Sequence, residues 1–231
     1  MLKKFEILVF RASENEEKCR EFISGHVKIL EDYGITNVST NEASWINSKD
    51  VYVLSAYERN SGEIVGGLRI HLRNDKKLPI QKAIEDLDNR INWLIENEEG
   101  IVGEICGMWN SRKYFGYGIS AILGRASVAY AKLLGVDKLF CLAAKYILDL
   151  AKLYGFEIVE EIGNKGTFPY PIESHLAHVL RLEDIESLPS ADQDQKMIMD
   201  EMRRNISFSR IENSVKGEYV VEYKPDERLF N

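Results

Sequence analysis

The run from Ile101 to Gly118 holds the residue types best suited to chemistry in this chain. Glu104 sits within the apolar β-prone segment Ile101-Val102-Gly103-Glu104-Ile105-Cys106-Gly107-Met108-Trp109. A carboxylate in such a segment costs free energy unless it is solvated, paired or put to use. Partial burial would raise its pKa and suit it to take a proton from an ammonium group, making it the candidate general base; an exposed strand position or a buried ion pair is the alternative. Gly103 and Gly107 share the opposite face of a regular strand, and glycine inside a strand marks a bulge or a close approach.

After Trp109 comes the polar loop Asn110-Ser111-Arg112-Lys113-Tyr114-Phe115-Gly116-Tyr117-Gly118, and a helix opens at Ile119. Glycines let a loop backbone come close to a ligand, and a helix start offers unpaired N–H donors with partial positive charge, so the segment suits a phosphate. Arg112 and Lys113 add cations. Gly116 to Ala121 also matches the dinucleotide pattern G-x-G-x-x-A, which would suggest an NAD-binding oxidoreductase. In that fold the first glycine follows its strand directly, whereas here six residues intervene after Trp109.

The elements that must position these residues follow from periodicity and breakers. Phe5 to Phe10 is a short strand, and Ser13 with Glu16 forms a capping box opening a helix that ends near Gly34. Val51–Glu58 and Ile64–Leu72, broken at Arg59-Asn60-Ser61-Gly62, read as an antiparallel hairpin. Apolar residues at helical spacing predict a helix over 79–97. Next come the strand 101–109, a helix over 119–134, a strand at 138–143, a short helix over 145–154 stopped by Gly155, and a strand at 156–162. Segment 174–182 pairs back as a further strand, and a helix over 191–205 and a strand at 218–223 close the chain.

This order and the loop together resemble the GNAT acyltransferase superfamily. Lys113, Gly116 and Gly118 stand at the defining positions of its pyrophosphate motif [QR]-x-x-G-x-[GA], with Lys in place of Gln or Arg. The resemblance covers roughly residues 5–182. It implies an α/β (α+β) fold with a mixed, mostly antiparallel central sheet, in which the motif strand and the next splay apart around a thioester. Met108, Trp109 and Asn110 would sit at that gap, with Arg112, Lys113, Gly116, Tyr117 and Gly118 completing the cofactor-binding set and Glu104 as the catalytic residue.

Many acetyltransferases of the superfamily carry a leaving-group tyrosine four residues before a Gly-Phe pair and an asparagine seven residues earlier; here these are Ala151 and Ala144. The chain is similar in other ways to the N-acyl amino acid synthases and acyl-homoserine-lactone synthases. The likeness lies in Phe10-Arg11-Ala12 before a long helix with His26 and Leu30, in Glu104, and in Tyr170-Pro171 ahead of a strand. That subgroup usually has Arg three residues after the Glu, where this chain has Gly107. The implied activity is transfer of an acyl group from acyl-CoA, or from the phosphopantetheine of an acyl-carrier protein, to a small-molecule amine, an amino acid among the options. A non-catalytic sensor or partner-binding module on the same fold is the alternative, motivated by the two alanines. Trp45, Trp93, Trp109, Tyr114, Phe115 and Tyr117 are candidates to line an acyl tunnel. His71, His175 and His178 read as surface or structural residues.

Composition agrees with one globular domain over 1–231, a core at about 5–182 and an extension over 184–231. Hydrophobic residues are 45% and charged residues 29% of 231, ordinary values for a folded chain. With 30 Lys and Arg against 37 Asp and Glu, the net charge of −7 argues against nucleic acid as a partner. No apolar run reaches a membrane span or a signal-peptide core, so a cytoplasmic location is expected. Cys19, Cys106 and Cys141 show no metal or disulfide spacing, so no metal is expected.

Overall fold

A computed structural model of the chain describes residues 2–32, 34 and 43–230. Among these, ten strands form one mixed sheet, and helices cover both faces. The strands are β1 (Lys3–Arg11), β2 (Val51–Glu58), β3 (Glu63–Leu72), β4 (Val102–Asn110), β5 (Lys138–Ala144), β6 (Glu157–Ile158), β7 (Thr167–Pro169), β8 (Leu176–Leu182), β9 (Phe208–Ser214) and β10 (Gly217–Pro225). Their order is β6-β8-β5-β4-β3-β2-β1-β10-β9, with β7 paired to β8. Only β1 with β10 and β4 with β5 run parallel.

One face carries α1 (Glu16–Asp32), α2 (Pro79–Ile84) and α3 (Arg90–Glu96); the other carries α4 (Ile119–Leu133), with α5 (Leu148–Leu153) and α6 (Gln193–Arg204) beside it. Side chains alternate between the two faces accordingly. On β2, Tyr52, Leu54 and Ala56 pack under α4, while Val51 and Val53 join Phe22 and Trp45 on the α1 side. The small residues of α4, from Ala126 through Ala131, are buried almost throughout, so this helix lies deep against the sheet.

Several local expectations are corrected. Asn15, not Ser13, caps α1: its Oδ1 accepts from the Lys18 N–H at 3.2 Å, and Ser13 lies in a preceding 3-10 turn. The helix expected over 79–97 is two short helices, α2 and α3, separated by a turn at 85–89 in which Asp88 accepts from the Arg90 side chain and from the Gly163 N–H. The strand expected at 156–162 shrinks to β6, and β9 was not expected at all. That strand pairs with β10, and β10 with β1, so residues beyond 205 continue the main sheet.

Two irregularities place the site. Parallel pairing of β4 with β5 runs from Val102↔Lys138 to Ile105↔Cys141, after which β4 continues to Asn110 and β5 to Ala144 without each other. The strands therefore splay. On its other edge β4 carries a bulge, since Gly67 pairs Trp109 but Arg69 pairs Cys106, leaving Gly107 and Met108 opposite one residue. Gly107 has φ of +60°, a conformation that glycine adopts freely and other residues resist.

Candidate functional site

The bulge inverts the face on which residues after Cys106 emerge. Met108 consequently points to the α4 side, lining a small apolar cavity of about 40 Å³ at the splay with Gly124, Cys141, Ala151 and Tyr154. Trp109 turns the other way: its ring lies under α1 against Phe22, in the space that a side chain at Gly25 would need. The Trp109 side chain is thus core beneath α1, on the opposite face from the cavity, and not a wall of the splay.

Beyond the splay, the loop closes onto α4. Gly116 and Gly118 have φ of +89° and +70°, and Gly118 caps α4 without any side-chain acceptor. The N–H groups of Gly116, Gly118, Ile119 and Ser120 have no acceptor among the described residues. Such a set of free donors at a fifteen-residue helix start is suited to phosphate oxygens. Asn110 steadies the entrance, its Oδ1 accepting from Ser120 Oγ at 2.9 Å.

The cations expected at this loop point elsewhere. Lys113 Nζ donates to Glu63 Oε2 at 2.5 Å, and Arg112 Nη2 donates to the Asp32 carbonyl at 3.2 Å. Tyr117 packs edge-on against Phe5 and Tyr219, at centroid distances of 5.3 and 5.7 Å, and braces the loop instead of lining it. A different lysine approaches. The tip of the β9–β10 hairpin lies on the loop, with Val215 Cγ2 2.9 Å and Lys216 Cε 3.3 Å from where a Cβ at Gly116 would be. No pattern in the sequence connects residue 216 with residue 116, so Lys216 was not among the expected residues.

On the α1/α2 face, Glu104 is 1% exposed. Its Oε2 accepts from the Ile80 N–H of α2 at 2.8 Å. Burial pushes its pKa up to about 8, against the opposing effects of that hydrogen bond and of Arg69. Register places His71 directly across from Glu104 and Arg69 across from Cys106, so the four side chains share one face. His71 is held neutral, its pKa well below the usual value through burial and the charges of Arg69 and Lys82. Arg69 and His71 border a cleft of about 550 Å³ between Trp45 and the start of α2. Both could have been suspected from Gly66-Gly67-Leu68-Arg69-Ile70-His71, where polar residues alternate inside a β run.

The remaining expectations scatter. Trp93 and Phe115 are mostly exposed and lie on different elements, so the aromatic residues do not line one tunnel. Ala151 does border the small cavity, while Tyr154 fills part of it with its hydroxyl donating to the Ala121 carbonyl at 2.7 Å. His175 precedes β8 and His178 lies within it, both away from Glu104. Among the described residues there is no cluster of His, Cys, Asp and Glu able to hold a metal ion, and no helix is long and apolar enough to cross a membrane.

No protein-family model matches the chain, and no curated protein matches it in sequence. Solved structures do. An N-acyl amino acid synthase from uncultured soil microbes, FeeM, superposes with a TM-score of 0.60 at 15% identity, covering 84% of this chain and 98% of its own. The CoA-dependent acyl-homoserine lactone synthase MesI gives 0.56 at 11% identity, covering 84% and 95%. An acyl-CoA N-acyltransferase from Pseudomonas aeruginosa gives 0.55 at 12%, covering 77% and 98%. The chain therefore has the GNAT acyltransferase fold, with a mixed, mostly antiparallel sheet between helical layers.

Proposed function

We propose that this protein is an N-acyltransferase that moves an acyl group from a pantetheine thioester, of CoA or of an acyl-carrier protein, to the amino group of a small molecule such as an amino acid. The observation that carries the reading is the parting of β4 from β5 after Ile105 and Cys141, which leads to a glycine loop and helix start with free N–H donors. In this reading the phosphates lie over Gly116–Gly118, the pantetheine arm enters the splay beside Met108, and the thioester carbonyl reaches the β4 end. Unpaired β4 backbone there would polarise that carbonyl.

Glu104 takes a proton from the acceptor ammonium, directly or through His71 or a water. The free amine attacks the thioester carbon, the C–N bond forms, the C–S bond breaks, and the thiolate departs. With a free thiol pKa of about 8.5, that thiolate can leave unassisted, which accommodates Ala151 at the usual tyrosine position. The likeness to FeeM, an N-acyl amino acid synthase, supports an amino-acid acceptor, and that to MesI, a CoA-dependent synthase, supports an acyl-CoA donor.

Incubation with acyl-CoA and pooled amines, read by free-thiol release and mass spectrometry, tests the reading. Thiol release matched by a new acylated amine is the expected outcome. Stabilisation by CoA in a thermal melt without thiol release from any acyl donor would favour the second reading, a non-catalytic thioester sensor. That reading draws on Ala144 and Ala151, and on the Tyr154 hydroxyl being engaged by a backbone carbonyl. No response to CoA or to pantetheine-bearing carrier protein would overturn both.

A further inference from the structure

Two large apolar side chains stand in solvent at the glycine loop. Phe115 is 76% exposed, and Val215, at the tip of the β9–β10 hairpin, is 89% exposed. They belong to one place, because Val215 Cγ2 lies 2.9 Å from where a Cβ at Gly116 would be, one residue on from Phe115. The other two aromatic residues of the loop are packed: Tyr114 is buried, and Tyr117 lies against Phe5 and Tyr219. Phe115 is the one left outside. Apolar surface costs free energy in water, and exposed apolar groups gathered at one spot mark a contact site.

The hairpin tip is fixed by its own hydrogen bonds. Ser214 Oγ donates to the Gly217 carbonyl at 2.9 Å and accepts from the Lys216 N–H at 3.1 Å, and Gly217, with φ of +95°, turns the chain into β10. Two residues on, the buried Tyr219 packs against Tyr117 of the loop, with ring centroids 5.7 Å apart. These contacts set Lys216 across Gly116, its Cε 3.3 Å from the same Cβ point. The ammonium is one bond of about 1.5 Å further, so it lies within about 5 Å of that point. It has no side-chain partner among the described residues. The other cations around the loop are committed: Lys113 to Glu63, Arg112 to Asp32, and Lys3 to Glu58 at 4.0 Å.

From this we infer that Phe115, Val215 and Lys216 form a subsite for the nucleotide end of CoA, Lys216 meeting the diphosphate and the Phe115 ring offering a stacking face to the adenine, and that this subsite selects free acyl-CoA over a carrier-bound arm. The inference rests on the acyltransferase reading and specifies its donor. Both donors bring the phosphate that adjoins pantetheine, which the free N–H groups of the loop can hold. Only CoA brings a second phosphate and a base. The second phosphate needs a cation, and Lys216 is the one beside the loop that no carboxylate occupies. The base needs a flat apolar surface, which Phe115 and Val215 supply at the same place. A carrier-bound arm ends in one phosphodiester to protein and leaves both features unused.

The test measures, by calorimetry, binding of CoA, dephospho-CoA and 4′-phosphopantetheine to wild type, Phe115→Ala, Lys216→Ala and the double variant. Wild type should bind CoA and dephospho-CoA at least about thirtyfold more tightly than phosphopantetheine, through one charge-assisted contact and one stacked base. Each single variant should lose about fivefold to tenfold on CoA, with phosphopantetheine affinity kept within about twofold as proof of folding, and the double variant should bind all three alike. In turnover, wild type should use acyl-CoA in preference to acyl-carrier protein, and the double variant should narrow that ratio. Equal binding of CoA and phosphopantetheine by wild type, a comparison that needs no variant, would overturn the inference. So would dephospho-CoA binding no better than phosphopantetheine, a folded double variant that keeps the wild-type ratio, or a wild-type preference for acyl-carrier protein. If none of the three ligands binds, the acyltransferase reading falls first and takes this inference with it; if CoA and phosphopantetheine bind equally well, only this inference falls.

Discussion

Glu104 keeps its proton in the folded chain to about pH 8, whereas the same carboxyl in an unfolded chain releases it near 4.5. Two consequences follow with defined signs. As a base it acts when ionised, so kcat/KM should rise with pH through about 8, and Glu104→Gln should lose about a hundredfold in turnover together with that rise, leaving donor KM nearly unchanged. For stability, the folded state binds more protons than the unfolded state between those two values, so stability falls as pH increases from about 5 to 8. Melting temperatures of wild type across that range should decline more steeply than those of Glu104→Gln, whose neutral amide can still accept from the Ile80 N–H. Parallel slopes would show that Glu104 is ionised throughout and would remove its claim to be a base with a raised pKa.

At the scale of elements, the glycine loop proposed to hold phosphate is shaped as much by the β9–β10 hairpin as by its own residues. Lys216 stretches over Gly116, and its ammonium has no partner among the described residues, whereas Lys113 is occupied by Glu63. Lys216→Ala is therefore expected to raise donor KM about tenfold with little change in kcat, by removal of one charge-assisted contact. Lys113→Ala should do less. Measuring both against acyl-CoA and against an acyl-pantetheine lacking the diphosphate checks the assignment, since only the former substrate should respond. A valine at Gly116 faces two obstacles, φ of +89° and the Val215 methyl in the space of its Cβ, so Gly116→Val should abolish CoA binding while leaving the rest of the sheet folded.

For the whole molecule, the segment after Leu182 is bound into the core. Tyr219, Val221 and Tyr223 are fully buried beside β1 and α4, and the buried Arg125 of α4 pairs with Glu212 and with the Tyr223 hydroxyl. Truncation to residues 1–205 would strip β1 of its parallel partner and leave the Arg125 guanidinium without its anion. The truncated chain should lack a cooperative melt and fixed near-UV circular dichroism, while the full chain has both. A truncated protein that melts cooperatively would instead make the extension an appendage.

Much of this molecule was legible in local patterns. Alternation and turn residues marked the β2–β3 hairpin, the apolar β4 run, the glycine loop and α4, because each depends on neighbours within a few residues. Glu104 stood out for the same reason, as a charge inside an apolar strand. The chain alone thus determined the fold class and marked the glycine loop proposed to bind the donor. What it did not determine depends on contacts distant in sequence. A two-residue bulge opposite Leu68 reverses the side chains after Cys106, sending Trp109 under α1 and Met108 to the splay. Glu63 draws Lys113 away from the loop, the hairpin brings Lys216 to it, and strand register sets Arg69 and His71 beside Glu104. Periodicity tells which residues turn inward; only the tertiary structure decides which of them meet, because register and packing are settled between elements and not within them.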